Sequence, residues 1–210
     1  MTLCRWKYCT DSSCGLCNAP QCTVNHILSC CPTSLLQGRY TWRHDTVLKR
    51  LYNLLRDNLD ESVTIFADLN NLRASDTPPA TIPLNIIVTT ARPDIVIIDG
   101  RYICLLELTI PSNNMASLTN VRERKQRKEN YISLVSDLSS RGYATDLETV
   151  EIGALGHFLQ CSINSIQQVL PHLSKRVLRN SFISQLSFPA ISCSYAIFNS
   201  RRNSEWSPPI

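Results

Sequence analysis

The 210-residue chain contains no apolar run approaching the length of a bilayer span, which excludes a transmembrane helix. Its opening residues, MTLCRWKYC, hold no apolar stretch long enough for a secretory leader, so a reducing, intracellular setting is expected. Glycine is scarce, six residues in all, and none forms a Gly-rich phosphate loop or a nucleophile elbow. No tandem repeat is present. P-loop nucleotide hydrolysis, serine-esterase chemistry and solenoid architectures are excluded together. A net charge of +4 and a pI near 8.6 are too mild to announce a nucleic-acid partner by themselves.

Cysteine is plentiful but unevenly placed. Seven of ten lie in the first 31 residues, while Cys104, Cys161 and Cys193 are scattered through apolar segments. A disulfide framework would be spread over the fold, whereas clustered thiols in a reducing compartment read as a metal site. Cys14 and Cys17 supply a tight thiolate pair, and His26 with Cys30 or Cys31 supplies a second. Four such ligands satisfy Zn²⁺ and contribute folding free energy to a segment too short for a core of its own. Cys4, Cys9 and Cys22 are left over. Trp6, Tyr8, Tyr40 and Trp42 flank the cluster, where aromatics suit contacts to unstacked bases, although aromatics beside cysteines are common without nucleic acid.

Residues 92–109 read as two apolar strands joined by Asp99-Gly100, a short-hairpin signal. With those two residues as the loop, Ile98 pairs with Arg101, Val96 with Ile103 and Asp94 with Leu105. Alternation then sends Asp94, Leu105, Glu107 and Thr109 to one face, with Asp94 and Glu107 diagonal neighbours about 7 Å apart. Carboxylates in strands are commonly solvated. Here they sit in runs of Ile, Val and Leu, where an unpaired charge is costly and two together need a cation. Mg²⁺, or Mn²⁺ in its place, suits two carboxylates completed by water and phosphate oxygens.

Residues 115–140 carry Leu118, Val121, Ile132, Val135 and Leu138 at helical spacing, and Arg124, Lys125 and Lys128 fall within the same arc. A lysine there snorkels to the edge of the sheet or reaches the carboxylate pair. In the second case the set forms the apparatus of metal-assisted phosphodiester hydrolysis. Around this centre, residues 46–59 read as an amphipathic helix capped by Asp45 or Thr46, 62–67 as a strand and 68–83 as a loop. A strand is expected at 149–154, then a helical stretch from 162 to about 185 interrupted by Pro171. The expected architecture is α/β, a small central mixed sheet flanked by helices.

That order, with GRYTWRHDTVLKRL at 38–51, RPDIVIID at 92–99, LLELTIP at 105–111 and the basic RERKQRKENY at 122–131, resembles the PD-(D/E)XK restriction-endonuclease-like superfamily. More narrowly it is similar to the C-terminal endonuclease region of site-specific non-LTR retrotransposon polyproteins, in which a CCHC zinc-knuckle-like segment precedes the nuclease. The resemblance implies a zinc-knuckle-like segment over 1–38 and a restriction-endonuclease-like domain over 39–210. Its His-to-Cys spacing selects Cys31 over Cys30 as the fourth zinc ligand. It makes Asp94 and Glu107 the catalytic metal ligands and puts Thr109 where many members have lysine, with Lys125 or Lys128 standing in from the following helix. An Arg-His element at this place accompanies DNA binding in the family, which implies Arg43 and His44 as DNA contacts.

The implied activity is that of a metal-dependent DNA endonuclease, a nickase leaving a 3′-hydroxyl primer for target-primed integration in the nucleus, here without the reverse transcriptase that precedes the zinc motif in those elements. The alternative is an inactive, zinc-dependent remnant that binds DNA or RNA without cutting. Arg122, Arg124, Lys125, Arg127 and Lys128 on one helix, with Lys175, Arg176, Arg179, Arg201 and Arg202 later, are the expected phosphate contacts. Glu123 and Glu129 make a merely solvated face the rival explanation.

Overall fold

Four strands form one mixed sheet in the order β1-β2-β3-β4. In this computed structural model residues 12–69, 93–112, 115–126 and 129–209 are described. The strands are β1 Thr64–Ala67, β2 Ile95–Asp99, β3 Tyr102–Thr109 and β4 Ala144–Glu151. The first three form an antiparallel meander and β4 lies parallel to β3. A parallel neighbour requires a crossover, here made by helices α3 Met115–Gln126 and α4 Glu129–Ser140. The preceding helices are α1 Pro32–Leu36 and α2 Arg39–Arg56; α5 Gln160–Val169 follows β4. A π-helical segment, Leu178–Ile183, then runs into α6 Ser184–Asn199.

The hairpin register differs from the expected one. Asp99 pairs with Tyr102 and Val96 with Leu105, so the loop is Gly100-Arg101. Gly100 takes φ +56° at the first loop position, where a two-residue loop of the II′ kind demands glycine. The slip is two residues, which leaves every side chain on its expected face. Continued one step past Ile95 and Leu106, it brings Asp94 directly opposite Glu107 rather than diagonal to it.

The two faces of the sheet bury different helices. Ile95, Ile97, Cys104, Leu106 and Leu108 pack on α2, α5 and α6, where Val47, Leu48, Leu51 and Leu55 are inaccessible to solvent as the periodicity requires. Val96, Ile103 and Leu105 pack beneath Tyr131, Leu134 and Leu138 of α4. Ile132, expected inside, is 55% exposed. The stripe 131, 134, 138 is as regular as the one through 132, 135, 138, and the second face lost.

Three boundaries also move. The first long helix starts at Arg39, after Gly38 with φ +70°, and Thr46 bonds back to Trp42 O within it instead of capping it. The last strand begins at Ala144 because its polar first half is solvent-facing and carries no apolar signal. The final helix continues through Pro189 to Asn199. Most of the expected 68–83 loop lies outside the described residues, as do Trp6, Tyr8, Cys4, Cys9, Arg127 and Lys128. Among the described residues no helix is long and apolar enough to cross a membrane.

Candidate functional site

Two clusters gather the chemically competent side chains. In the first, the ligand atoms of Cys14, Cys17, His26 and Cys31 all lie within 4.8 Å of one another. Cys14 Sγ is 3.9 Å from Cys31 Sγ, and Cys17 Sγ is 3.2 Å from His26 Nε2. A zinc tetrahedron with Zn–S near 2.3 Å places its sulfurs about 3.8 Å apart. The group can therefore hold Zn²⁺ with displacements of no more than about 1 Å. Burial pushes the Cys14 thiol up, but bonds to Leu16, Cys17 and His26 prevail and bring it down to about 6, whereas burial and its sulfur neighbours push Cys17 up to about 11.

Local structure explains the convergence. Asn18, with φ +57°, turns the chain after Cys17, and Asn18 N donates to Cys14 O. A π-helical turn, His26–Cys30, separates the second ligand pair, and Tyr40 Oη receives Cys31 N and donates to Ile27 O. The member of the cluster is the buried Cys31 and not the exposed Cys30, in agreement with the implied spacing. The cluster is no appendage. Ile27 and Leu28 pack against Ala154 and Ile197, with Cys22, Trp42 and Trp206 around them.

The arginine and aromatic residues beside this segment hold it in place and face inward. Arg43 is 2% exposed and donates to Ser194 Oγ, Leu28 O and Ile110 O, which corrects its expected place at DNA. Burial also lowers its pKa to about 10. Arg39, wholly buried, donates to Ser200 and Asn203 carbonyls and stacks on Trp206. Trp42 meets Trp206 edge-on at 5.4 Å. Tyr40 and Trp42 are part-buried, their rings engaged by Arg43 and Trp206 respectively.

The second cluster lies at the end of the β2–β3 hairpin remote from its loop. Glu107, 2% exposed, accepts from Lys125 Nζ at one oxygen and from Tyr131 Oη at the other, and Asp94 N donates to it at 3.3 Å. Asp94 Oδ2 accepts Leu108 N at 2.7 Å and faces His44 Nε2 at 3.4 Å. His44 Nδ1 meets Asp45 Oδ1 at 3.1 Å. Burial opposes charge on His44, yet its bonds to Asp45 and Asp94 outweigh it and raise its pKa to about 10. The two carboxylates thus favour the imidazolium form of the ring. Burial and the Asp94 charge raise the pKa of Glu107, against Lys125 and Tyr131, which lower it; burial and Glu107 raise that of Tyr131. Lys125 is thus the cation on Glu107, and His44 is shared between Asp94 and Asp45.

Of the two lysines left open, Lys125 reaches the carboxylates, and Lys128 lies outside the described residues. Thr109, on β3 two residues beyond Glu107, is half-buried in register with Glu151. His44 moves from expected DNA contact to partner of Asp94. Tyr131 was missed, although an aromatic hydroxyl on an otherwise apolar helix face is itself a sign of a polar partner below. Arg122 is corrected too: its guanidinium turns inward to Glu151, Thr149 O and Ser165 Oγ. Arg124, Lys175, Arg176, Arg179 and Arg202 are exposed, while Arg201 lies over the Phe198 ring at 4.2 Å. No protein-family model matches the chain, and a search of curated proteins finds no match.

Proposed function

We propose that the chain is a metal-dependent DNA endonuclease domain of the non-LTR retrotransposon kind, which nicks one strand to leave a 3′-hydroxyl. The observation that carries this is the pairing of Asp94 and Glu107 across adjacent strands, with Lys125 on one and His44 on the other. A three-stranded meander followed by a helical crossover to a parallel strand supports a restriction-endonuclease-like core. The donor set fits Mg²⁺ or Mn²⁺: two carboxylates, and the buried Thr149 hydroxyl, unpartnered among the described residues, in register with Glu107. A cation held there would supply Lewis-acid polarisation of the phosphate and a more acidic bound water.

The remaining roles belong to the chain. Asp94 and Glu107 are the ligands. Tyr131 fixes the orientation of Glu107 through its hydroxyl, and His44, braced by Asp45, does so for Asp94. Lys125 lies one hydrogen bond from Glu107 and is the group to stabilise charge developing on a bound phosphate. Thr109 lies at the edge of the same face, suited to orient water. Zinc in the Cys14-Cys17-His26-Cys31 group locks the adjoining segment, and Arg124 with the later exposed arginines supplies phosphate contacts. Chromosomal DNA as substrate carries with it a nuclear location, and RNA is a further ligand of the same surfaces.

One observation favours a second reading. Glu107 already receives Lys125, Tyr131 and Asp94 N, so three of its four lone-pair sites are occupied without metal. A carboxylate retained in that state suits a zinc-dependent nucleic-acid-binding remnant. Supercoiled plasmid with zinc-loaded protein and Mg²⁺ or Mn²⁺ separates the two. Nicking by the parent, lost in Asp94→Asn and Glu107→Gln, is the expected result. Gel retardation of DNA without nicking would replace the enzyme by the binding module.

A further inference from the structure

Helix α3 brings Lys125 to Glu107, yet among its described side chains little apolar surface holds it there. Leu118 is its one buried apolar residue among those whose side chains are described. On the same stripe, four residues after Leu118 and three before Lys125, stands Arg122. Its Nη1 donates to Thr149 O at 2.8 Å and to Glu151 Oε2 at 3.0 Å, and its Nη2 to Ser165 Oγ at 3.1 Å. Glu151 is 1% exposed and also accepts Ser162 Oγ at 2.7 Å. One side chain therefore joins α3 to β4 and α5.

The place of this anchor is informative. Thr149 is the β4 residue in register with Glu107, and Glu151 is in register with Thr109. Arg122 is pinned to the β4 residue paired with Glu107, about 4.5 Å along the helix axis from Lys125. A buried ion pair is a weak source of stability, because desolvating two charges offsets most of their attraction, and an apolar pair of similar volume holds a helix as well. What a forked guanidinium on a carboxylate and a carbonyl adds is direction. It fixes the axial position of α3, which apolar contact of Leu118 by itself does not.

We infer that the Arg122–Glu151 pair is a positioning device that sets Lys125 on Glu107; its consequence for catalysis rests on the nuclease reading above. Arg122→Met alone strands a buried carboxylate, so the test uses Arg122→Met/Glu151→Leu in the full zinc-loaded chain. Acetylation of lysines by a succinimidyl ester, read by mass spectrometry, should show Lys125 protected in the parent and labelled severalfold faster in the double variant. The exposed Lys49 should be unchanged in both. Equal Lys125 labelling in the two folded proteins overturns the inference, whether or not the chain cuts DNA. Should the double variant fail to fold, Arg122→Lys, which keeps the charge but loses the fork, takes its place with the same criterion.

The plasmid assay then tests the catalytic consequence. The double variant should lower kcat for nicking about a hundredfold with KM little changed, the scale of a misplaced catalytic group. In a Lys125→Ala background the same double substitution should have almost no further effect. A loss that persists undiminished without Lys125 refutes positioning through that lysine. A parent that does not nick at all refutes the nuclease reading and leaves the labelling result to decide the geometry.

Discussion

Withdrawing zinc should destabilise the whole molecule rather than release a loose arm. Ile27 and Leu28 lie between the ligands His26 and Cys31 and are 3% exposed each, packed on Ala154 and Ile197. Fully burying one such side chain is worth about 1.5–3 kcal/mol, so losing both removes roughly 3–6 kcal/mol. That is an upper range, because unfolded chains already bury part of this surface. Arg43 would also lose Leu28 O while remaining buried. For a chain of this size about 1 kcal/mol shifts Tm by roughly 2–4 °C, which gives a fall on the order of 10 °C. The assay is differential scanning calorimetry of the zinc-loaded chain with and without a chelator. One cooperative transition, moved down as a unit, is expected. An early, separate transition with the main one unmoved would refute the integration of the cysteine segment, and an unchanged Tm would refute the zinc site.

Further outcomes follow from individual side chains. Cys31→Ser should abolish stoichiometric zinc by atomic emission, while Cys30→Ser should retain it, since Cys30 is exposed and Cys31 buried within the cluster. Ile132→Ser should change unfolding free energy by less than about 0.5 kcal/mol in urea titration, whereas Leu134→Ala should cost about 2–5 kcal/mol. Burial and the Glu148 and Asp146 charges push the Cys104 thiol up to about 12, so it should resist iodoacetamide at pH 8 while Cys30 is alkylated, until the chain unfolds. Gly100→Ala should destabilise by about 1–2 kcal/mol through its left-handed φ, measured by the same urea titration.

The shared face of Asp94 and Glu107 was legible because it depends only on alternation, and a hairpin slip of two residues leaves parity intact. The loop identity was not, since both Asp99-Gly100 and Gly100-Arg101 contain the glycine that the turn requires. Lys125 was legible as one of two lysines on an inward arc. Tyr131 was hidden by a one-residue error in the helix stripe, which placed Ile132 inside. Arg43 and Arg122 were misread for a different reason. Their partners, Ser194 and Glu151, are far away in sequence, and a basic side chain looks the same in one dimension whether it faces phosphate or a buried carboxylate. His44 shows the same blindness, because only the fold brings Asp94 to its ring.

The pairing of His44 with Asp94 and Lys125 with Glu107 has an effect beyond the reach of any hydrogen bond. Two bare carboxylates would present an approaching polyanion with a repulsive field extending about a Debye length into solution. An imidazolium and an ammonium beside them offset most of that charge, but His44 is shared with Asp45, so three carboxylates face two cations and a weakened negative field remains. On the nuclease reading, a phosphodiester would meet a lower barrier than the bare carboxylates would raise. The group supplies no attraction of its own, so on that reading encounter with nucleic acid would be driven by basic side chains elsewhere on the surface.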